Sequence, residues 1–486
     1  MENYMHGISL KENPTSVPQP TESLSSVTVV IGTAPINLAE NIEEAINNPI
    51  LVRSFDEARR KLGYSDDWEK YTLCEAMDAY FRKFKVGPLV FINVLGLDHK
   101  ESGLSHTVGI VNRQAKIDEE GIILDSLQVK SVDGVSTYVE GIDYVVDFDL
   151  DGKPIVTVLS AGNIKDAEVL VEYEKLNPGS VSTLDIIGGY NSVTNRFEGA
   201  ELVRIVYQKL GLVPSIILAP KFSRSSEVGS VLVAKSTKIN GSFNATNLLD
   251  VAGNTKEEAI ENKGLNNYDD KSSIVCWPKT QILDKTYHYS TILAAAMVKR
   301  DTENDDVPYK SPSNQRISIN AMINDDGQEV FLDQLEGNVL NSKGIVTAIN
   351  MNGWRTWGNN TAAYRSDVPG VMDPKERFIA VRRMFDWWGN SFIVNYFDKV
   401  DEPGNYRLIE SLVDGENIRA NGLQARNQIA GATIEFRQED NPVEQILNGK
   451  IQFIQKIGFF TPAEHIENIL EFDPTILTSS LFGGEE

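Results

Sequence analysis

The chain has 486 residues, 41% of them apolar and 24% charged, which describes a folded protein of about two to four domains and excludes a disordered one. Lys plus Arg number 46 against 69 Asp plus Glu, a formal net charge of −23, which speaks against wrapping nucleic acid, where neutralising phosphate drives affinity. No segment approaches the ~20 apolar residues of a membrane helix, and MENYMHGISLKEN shows no secretory signal. Cys74 and Cys276 lack CxxC spacing and read as reduced, buried thiols of a protein folded in the cytoplasm.

Residues 1–25 carry Pro14, Pro18 and Pro20 among Ser, Thr and Glu, a composition that resists helix and favours an extended arm. SVTVVIGTAP then reads as a buried strand bounded by Gly32 and Pro35. Ser54 and Glu57 predict a capping box, and the helix they open stops at Gly63. Leu73, Ala76, Met77, Tyr80, Phe81 and Phe84 share one face of a second helix. GPLVFINVLG follows as another buried strand and completes the first part of an α/β core, 26–104. Over 105–180 short segments such as TVGIVN, YVVDFDL, IVTVLS and AEVLVEYE alternate with Gly and Asp, which predicts an inserted all-β domain of hairpins.

The α/β pattern resumes over 181–360, with GAELVRIVYQKLG as helix, SIILAP and SSIVCWP as strands, STILAAAMVKR as helix and GIVTAIN as strand. An α+β C-terminal domain occupies 361–461. Asp373, Pro374 and Glu376 open its helix as N-cap, first-position proline and reciprocal carboxylate. Phe378, Val381, Met384, Phe385 and Trp388 form that helix's buried stripe, with Arg382 and Arg383 elsewhere on its surface. GATIEFR and KIQFIQKIGFF alternate cleanly, placing Ala432, Ile434, Phe436, Ile451, Phe453 and Ile457 on one face. Residues 462–486 read as a further extended segment ending in a loose acidic tail.

The signatures of catalysis are missing. No GxGxxG opens a helix, and no GxxxxGK[ST], HExxH or GxSxG occurs. His6, His99, His106, His288 and His465 are scattered without metal-ligand spacing and read as solvated or core-edge residues. Asp147, Asp149, Asp151 and Gly152 match the start of an EF-hand loop, but Val158 stands where the bidentate Glu belongs. That stretch reads instead as a hairpin with Asp151-Gly152 in a type I′ turn. No catalytic, cofactor or metal residue is assigned. In GWRTWGNNT, Trp354, Arg355 and Trp357 form either a sugar-stacking platform or a packed joint whose indole N–H groups find loop carbonyls.

Taken in order, YMHGISLKEN, SSVTVVIGTAP, YVEGIDYVVDFDLDGKP, VPSIILAPKFS, GIVTAINMNGWRTWGNNT, FIAVRRMFDWW and TPAEHIENILEF span nearly the whole chain. The set resembles the contractile tail sheath proteins of bacteriophages, R-type bacteriocins and related injection systems. Asn360 departs from the Arg that often follows Trp-Gly-Asn in that family. The resemblance implies a structural subunit, not an enzyme, that polymerises with itself as hexameric rings around a tail tube, and it resolves GWRTWGNNT as a structural joint. It further implies tail tube, baseplate and terminator partners and no cofactor. Arms bearing Ile8 and Leu10 at one end, and Ile466, Leu470 and Phe472 at the other, are expected to join neighbouring subunits. A receiving sheet with Ile434, Phe436, Ile451 and Phe453 is expected to accept them. The alternatives are a carbohydrate-active α/β enzyme with an appended β-sandwich and a receptor-binding adhesin.

Overall fold

The computed structural model describes residues 21–22, 26–149 and 151–482. Ile8, Leu10 and most of the expected N-terminal arm lie outside the described residues. Thr21–Glu22 runs parallel to Val86–Gly87.

Eight strands build the main sheet: β1 (Thr28–Gly32), β2 (Pro49–Val52), β3 (Leu89–Asn93), β4 (Ile216–Leu218), β5 (Thr246–Asp250), β6 (Ser273–Cys276), β7 (Ile345–Asn350) and β8 (Trp354–Trp357). Their order is β8-β7-β6-β5-β4-β1-β3-β2. The inner strands are parallel, and the edge strands β8 and β2 are antiparallel to their neighbours. Parallel strands covered on both faces read as continuous apolar runs, as TVVIG and LVFIN do. Val30, Phe91, Leu248 and Ile274 feed one core, and Val29, Ile31, Val90, Ile92 and Val275 feed the other. Helix α1 (Tyr289–Thr302) is apolar nearly all round because it lies inside the first core.

Two local expectations differ from the fold. β5, TNLLD, is a central strand that its polar residues conceal; Asn247 is fully buried, donating to Ser236 Oγ and Ser272 O. GAELVRIVYQKLG is not one helix but a 3-10 stretch over Gly199–Ile205 followed by Val206–Leu210. The Ser54 side chain caps the helix, accepting from Glu57 N–H at 3.2 Å, but the expected box does not close, because the Glu57 carboxylate accepts from Arg53 N–H, at 2.8 Å, and not from Ser54 N–H. The helix ends at Gly63, whose φ of 74° and proximity to Pro35 O exclude a side chain. Ser54→Ala is therefore expected to cost about 1 kcal/mol; an unchanged urea midpoint for the core transition would contradict it.

The β insert comprises two three-stranded antiparallel sheets. One holds Gln114–Lys116, Pro154–Val158 and Tyr144–Phe148, and the other Lys100–Gly109, Glu168–Leu176 and Gln128–Lys130. They close over Ala115, Ile117, Val129, Val156 and Val171. The hairpin at Asp147–Pro154 is present, but its turn is not type I′. Phe148 stands opposite Pro154 and Asp149 N–H donates to Lys153 O at 2.8 Å, a loop too long for a two-residue turn; Gly152 has φ of 75°, and Asp149 Oδ1 accepts from both Asp151 N–H and Lys153 N–H. Asp149 also holds Lys116 at 2.5 Å, so its carboxylate organises a longer loop.

The C-terminal part is built from α2 (Ile379–Tyr396), α3 (Tyr406–Ala425) and the hairpin β9 (Gly431–Glu435) with β10 (Ile454–Gly458). Met384, Trp388, Ala420, Leu423 and Ile429 form its small core. Asp373 caps only a one-turn helix, Pro374–Arg377, which breaks at Phe378 before α2 begins. Glu376 does not return to the cap because its carboxylate takes Lys271 at 3.1 Å. Arg383, expected at the surface, is 5% exposed and bonds Asp301 at 2.5 Å and Ser26 Oγ at 3.2 Å. The reason is that α2 is covered on more than its apolar stripe. Part of the segment expected to be extended is a helix instead, α4 (Pro474–Phe482), and the acidic end at 483–486 lies outside the described residues.

Candidate assembly interface

The β9–β10 register sets Ala432 opposite Ile457, Ile434 opposite Gln455 and Glu435 opposite Ile454. Ala432, Ile434 and Phe436 therefore share a face with Phe453, Gln455 and Ile457. Ile434 is 3% exposed, and the Phe436 and Phe453 rings meet at 5.8 Å. Gln455 interrupts the apolar alternation because Glu416 of α3 lies fully buried beneath it and accepts from its Nε2 at 3.1 Å. Arg419 also donates to Glu416, at 3.2 Å, and its guanidinium sits 4.4 Å over the Trp388 ring. Burial pulls the Arg419 pKa below its ordinary value, against the pull of Glu416.

An open groove follows this face, lined by Trp388, Phe392, Ile434, Ile451, Phe453 and Gln455. Among the described residues neither hairpin strand pairs with a third strand. Their outer edges thus offer backbone N–H and C=O groups for strand addition, save Ile434 N–H, which donates to Asn417 Oδ1 at 3.2 Å.

The chain then leaves the body. From His465 to Leu481 every residue is exposed. Ile466, Leu470 and Phe472 are 84%, 86% and 78% exposed, as are large parts of Ile469, Ile476, Leu477 and Leu481. Apolar side chains so placed enter no core of the subunit. Ile466, Leu470 and Phe472 fall at even spacing, so they share one side of an extended strand.

Trp354, Arg355 and Trp357 lie on the edge strand β8, after a tight turn at 351–353, not in a ligand-facing loop. Trp354 Nε1 donates to Asn320 O at 3.1 Å and Trp357 Nε1 to Asn338 Oδ1 at 3.0 Å. Arg355 donates to Asn314 O at 3.2 Å and to Asn314 Oδ1 at 3.1 Å, tying β8 to the segment that precedes β7. Two polar clusters gave no sequence signal: Arg383 with Asp301 and Ser26, and Arg377 with Glu464. Their members are 82 or more positions apart, and no spacing rule connects them.

The sheet is doubly wound, with its connections reversing between β1 and β4. Small ligands of such sheets bind outside the carboxyl ends of the strands at that reversal. Here the segment 69–73 fills the place. Thr33 N–H donates to Thr72 Oγ1 at 3.2 Å, Thr33 Oγ1 to Lys70 O at 2.7 Å, and Lys221 Nζ to Glu69 O at 2.5 Å. His288 is likewise absorbed into the interior, 2.8 Å from Glu75. Among the described residues no three His, Cys, Asp or Glu side chains converge on a possible metal.

The chain thus combines a filled crevice at the sheet reversal with an exposed apolar C-terminal segment. No family model matches the chain. It is 27% identical over 491 residues to the tail sheath protein of Burkholderia phage BcepMu, covering 96% of both chains. It is also 28% identical over 211 residues to the tail sheath protein of Escherichia phage P2, covering 42% of this chain and 50% of the relative. Its fold matches the contracted sheath complex of the extracellular contractile injection system PVC with a TM-score of 0.56 at 13% identity, over 98% and 99% of the two chains. A chain of the anti-feeding prophage baseplate matches with a TM-score of 0.59 at 14% identity, over 97% and 99%. These relatives are tail sheath proteins, and the likeness over nearly the whole chain supports a structural contractile sheath subunit and not an enzyme.

Proposed function

We propose that this sheath subunit polymerises as helically stacked hexameric rings around a tail tube and contracts to drive the tube through a target cell envelope. Baseplate and tail-terminator proteins bound the polymer at its ends, and assembly takes place in the bacterial cytoplasm. The observation that carries this reading is the uncovered arm from His465 onward, set against a hairpin with unpaired edges in the same chain. The arm of one copy adds a strand to β9–β10 of the next, with Ile466, Leu470 and Phe472 entering the groove beside Ile434, Ile451 and Phe453. Each such side chain contributes about 1.5–3 kcal/mol when fully buried. Extended links of this kind let rings rotate and approach without parting. Energy for contraction comes from additional surface buried between subunits, in keeping with a ligand crevice that is filled. Full-length chain is expected to form tubes by negative-stain microscopy, and a chain ending at residue 461 only small species. Tubes from the shortened chain would overturn the reading.

In the same scheme 26–104 with 181–360 form the core, 105–180 the outward insert, 361–461 the assembly domain, and 1–25 with 462–486 the arms. The insert enters and leaves on paired strands, Lys100 standing opposite Leu176. A short glycine linker joining those two residues is therefore expected to give a soluble subunit that still forms tubes. Loss of the core's cooperative melting in that variant would show that the insert is part of the core's fold.

A further inference from the structure

The root of the C-terminal arm rests in a built receptor for a carboxylate. The Arg377 guanidinium lies 4.5 Å from the ring centroids of both Tyr364 and Phe378. Its Nε donates to Asn360 Oδ1 at 3.1 Å, and Asn360 is only 4% exposed. The remaining face of Arg377 pairs with Glu464, whose other carboxylate oxygen accepts from Asn360 Nδ2 at 3.4 Å. Stacking and the Asn360 bond pre-orient the planar fork before the carboxylate arrives. Among the described residues Glu464 is the last whose side chain bonds to the body of the subunit. Beyond it, side-chain hydrogen bonds run only within the arm, as from Thr475 to Asp473.

We propose that the Arg377–Asn360 socket latches the arm through Glu464, fixing where the arm leaves the subunit and how far it reaches. With the latch closed, the free tether before α4 runs from His465 to Asp473, a stretch that spans at most about 30 Å. With it open, the tether starts at the end of β10, and the arm samples a larger volume. A shorter, directed tether raises the effective concentration at which the arm meets a second copy. The proposal rests on the reading that 462–486 joins subunits.

The test uses the full chain carrying Glu464→Gln, with Glu464→Asp as a charge-retaining companion. The latch requires the critical concentration for polymerisation to rise on the order of tenfold in E464Q and by less in E464D. Monomer melting should be unchanged in both, since Glu464 lies on the arm. Salt should raise the critical concentration more in the wild type than in E464Q, because an ion pair is screened. Assembly of E464Q at the wild-type concentration, while the chain ending at 461 fails to assemble, overturns the latch and leaves the strand link standing. Early melting of the E464Q monomer also overturns it, placing the pair in the fold instead of in the linkage. Assembly of the chain ending at 461 removes the strand link itself.

Discussion

Leu470→Asp is expected to abolish polymerisation while leaving the melting temperature of the monomer unchanged. In the subunit this side chain is 86% exposed and flanked by residues that are exposed on both sides. A charge there meets only water, so nothing in the monomer opposes it. In the proposed strand link the same position enters the groove of a neighbour's hairpin. Placing a carboxylate against Ile434 and Phe453 costs several kcal/mol unless it neutralises. Every link in the polymer carries the same penalty, so tubes are lost and not merely weakened. Glu467→Gln, on the opposite side of an extended strand, is the matched control and should assemble normally. Sedimentation reads assembly and differential scanning fluorimetry reads the fold. A Leu470→Asp chain that still forms tubes, or one whose monomer melts several degrees early, would refute the arm's assignment.

Asp301→Ala should produce the largest loss of stability of any single change considered. Asp301 at the end of α1 is 1% exposed and receives both terminal nitrogens of Arg383, at 3.3 and 2.5 Å, together with the Ser26 hydroxyl at 2.5 Å. The three residues come from the chain entering β1, from α1 and from α2, so the cluster pins the C-terminal part to the core. Removing only the carboxylate leaves a guanidinium buried without its counter-charge, which costs about 3–5 kcal/mol. For a cooperative unit of this size the first thermal transition should fall by roughly 10 °C. The double variant Asp301→Leu with Arg383→Met should recover most of that loss, because it removes the isolated charge and keeps apolar volume. A single variant within two degrees of wild type, or a double variant no better than the single, would show that the pair does not hold the two parts together.

Much of the architecture was legible because it depends on neighbours in sequence. Continuous apolar runs announced the inner parallel strands, since a strand covered on both faces has no solvent side to mark. The cap at Ser54 and the stop at Gly63 are local hydrogen-bond and φ requirements, and they form where expected. Period-two alternation identified the face of β9 and β10 that carries Ile434 and Phe453. Even-numbered spacing likewise put Ile466, Leu470 and Phe472 on one side of an extended segment, although spacing cannot show whether that segment is covered.

The remaining decisions needed residues that are far apart in the chain. Whether Arg383 is solvated or buried depends on Asp301, 82 positions away, and on Ser26, 357 positions away. Whether Asp373 completes a capping box depends on Lys271, which draws Glu376 aside. The strand β5 is hidden by Asn247, whose polarity is tolerable only because Ser236 and Ser272 satisfy it in place. The crevice at the sheet reversal is closed by segment 69–73, and Glu464 meets Arg377 from 87 positions away. Periodicity reports which side of an element is apolar, because that is a property of successive residues. Which polar groups meet, which surfaces close and which stay open depend on how those elements are brought together, and local spacing carries no trace of it.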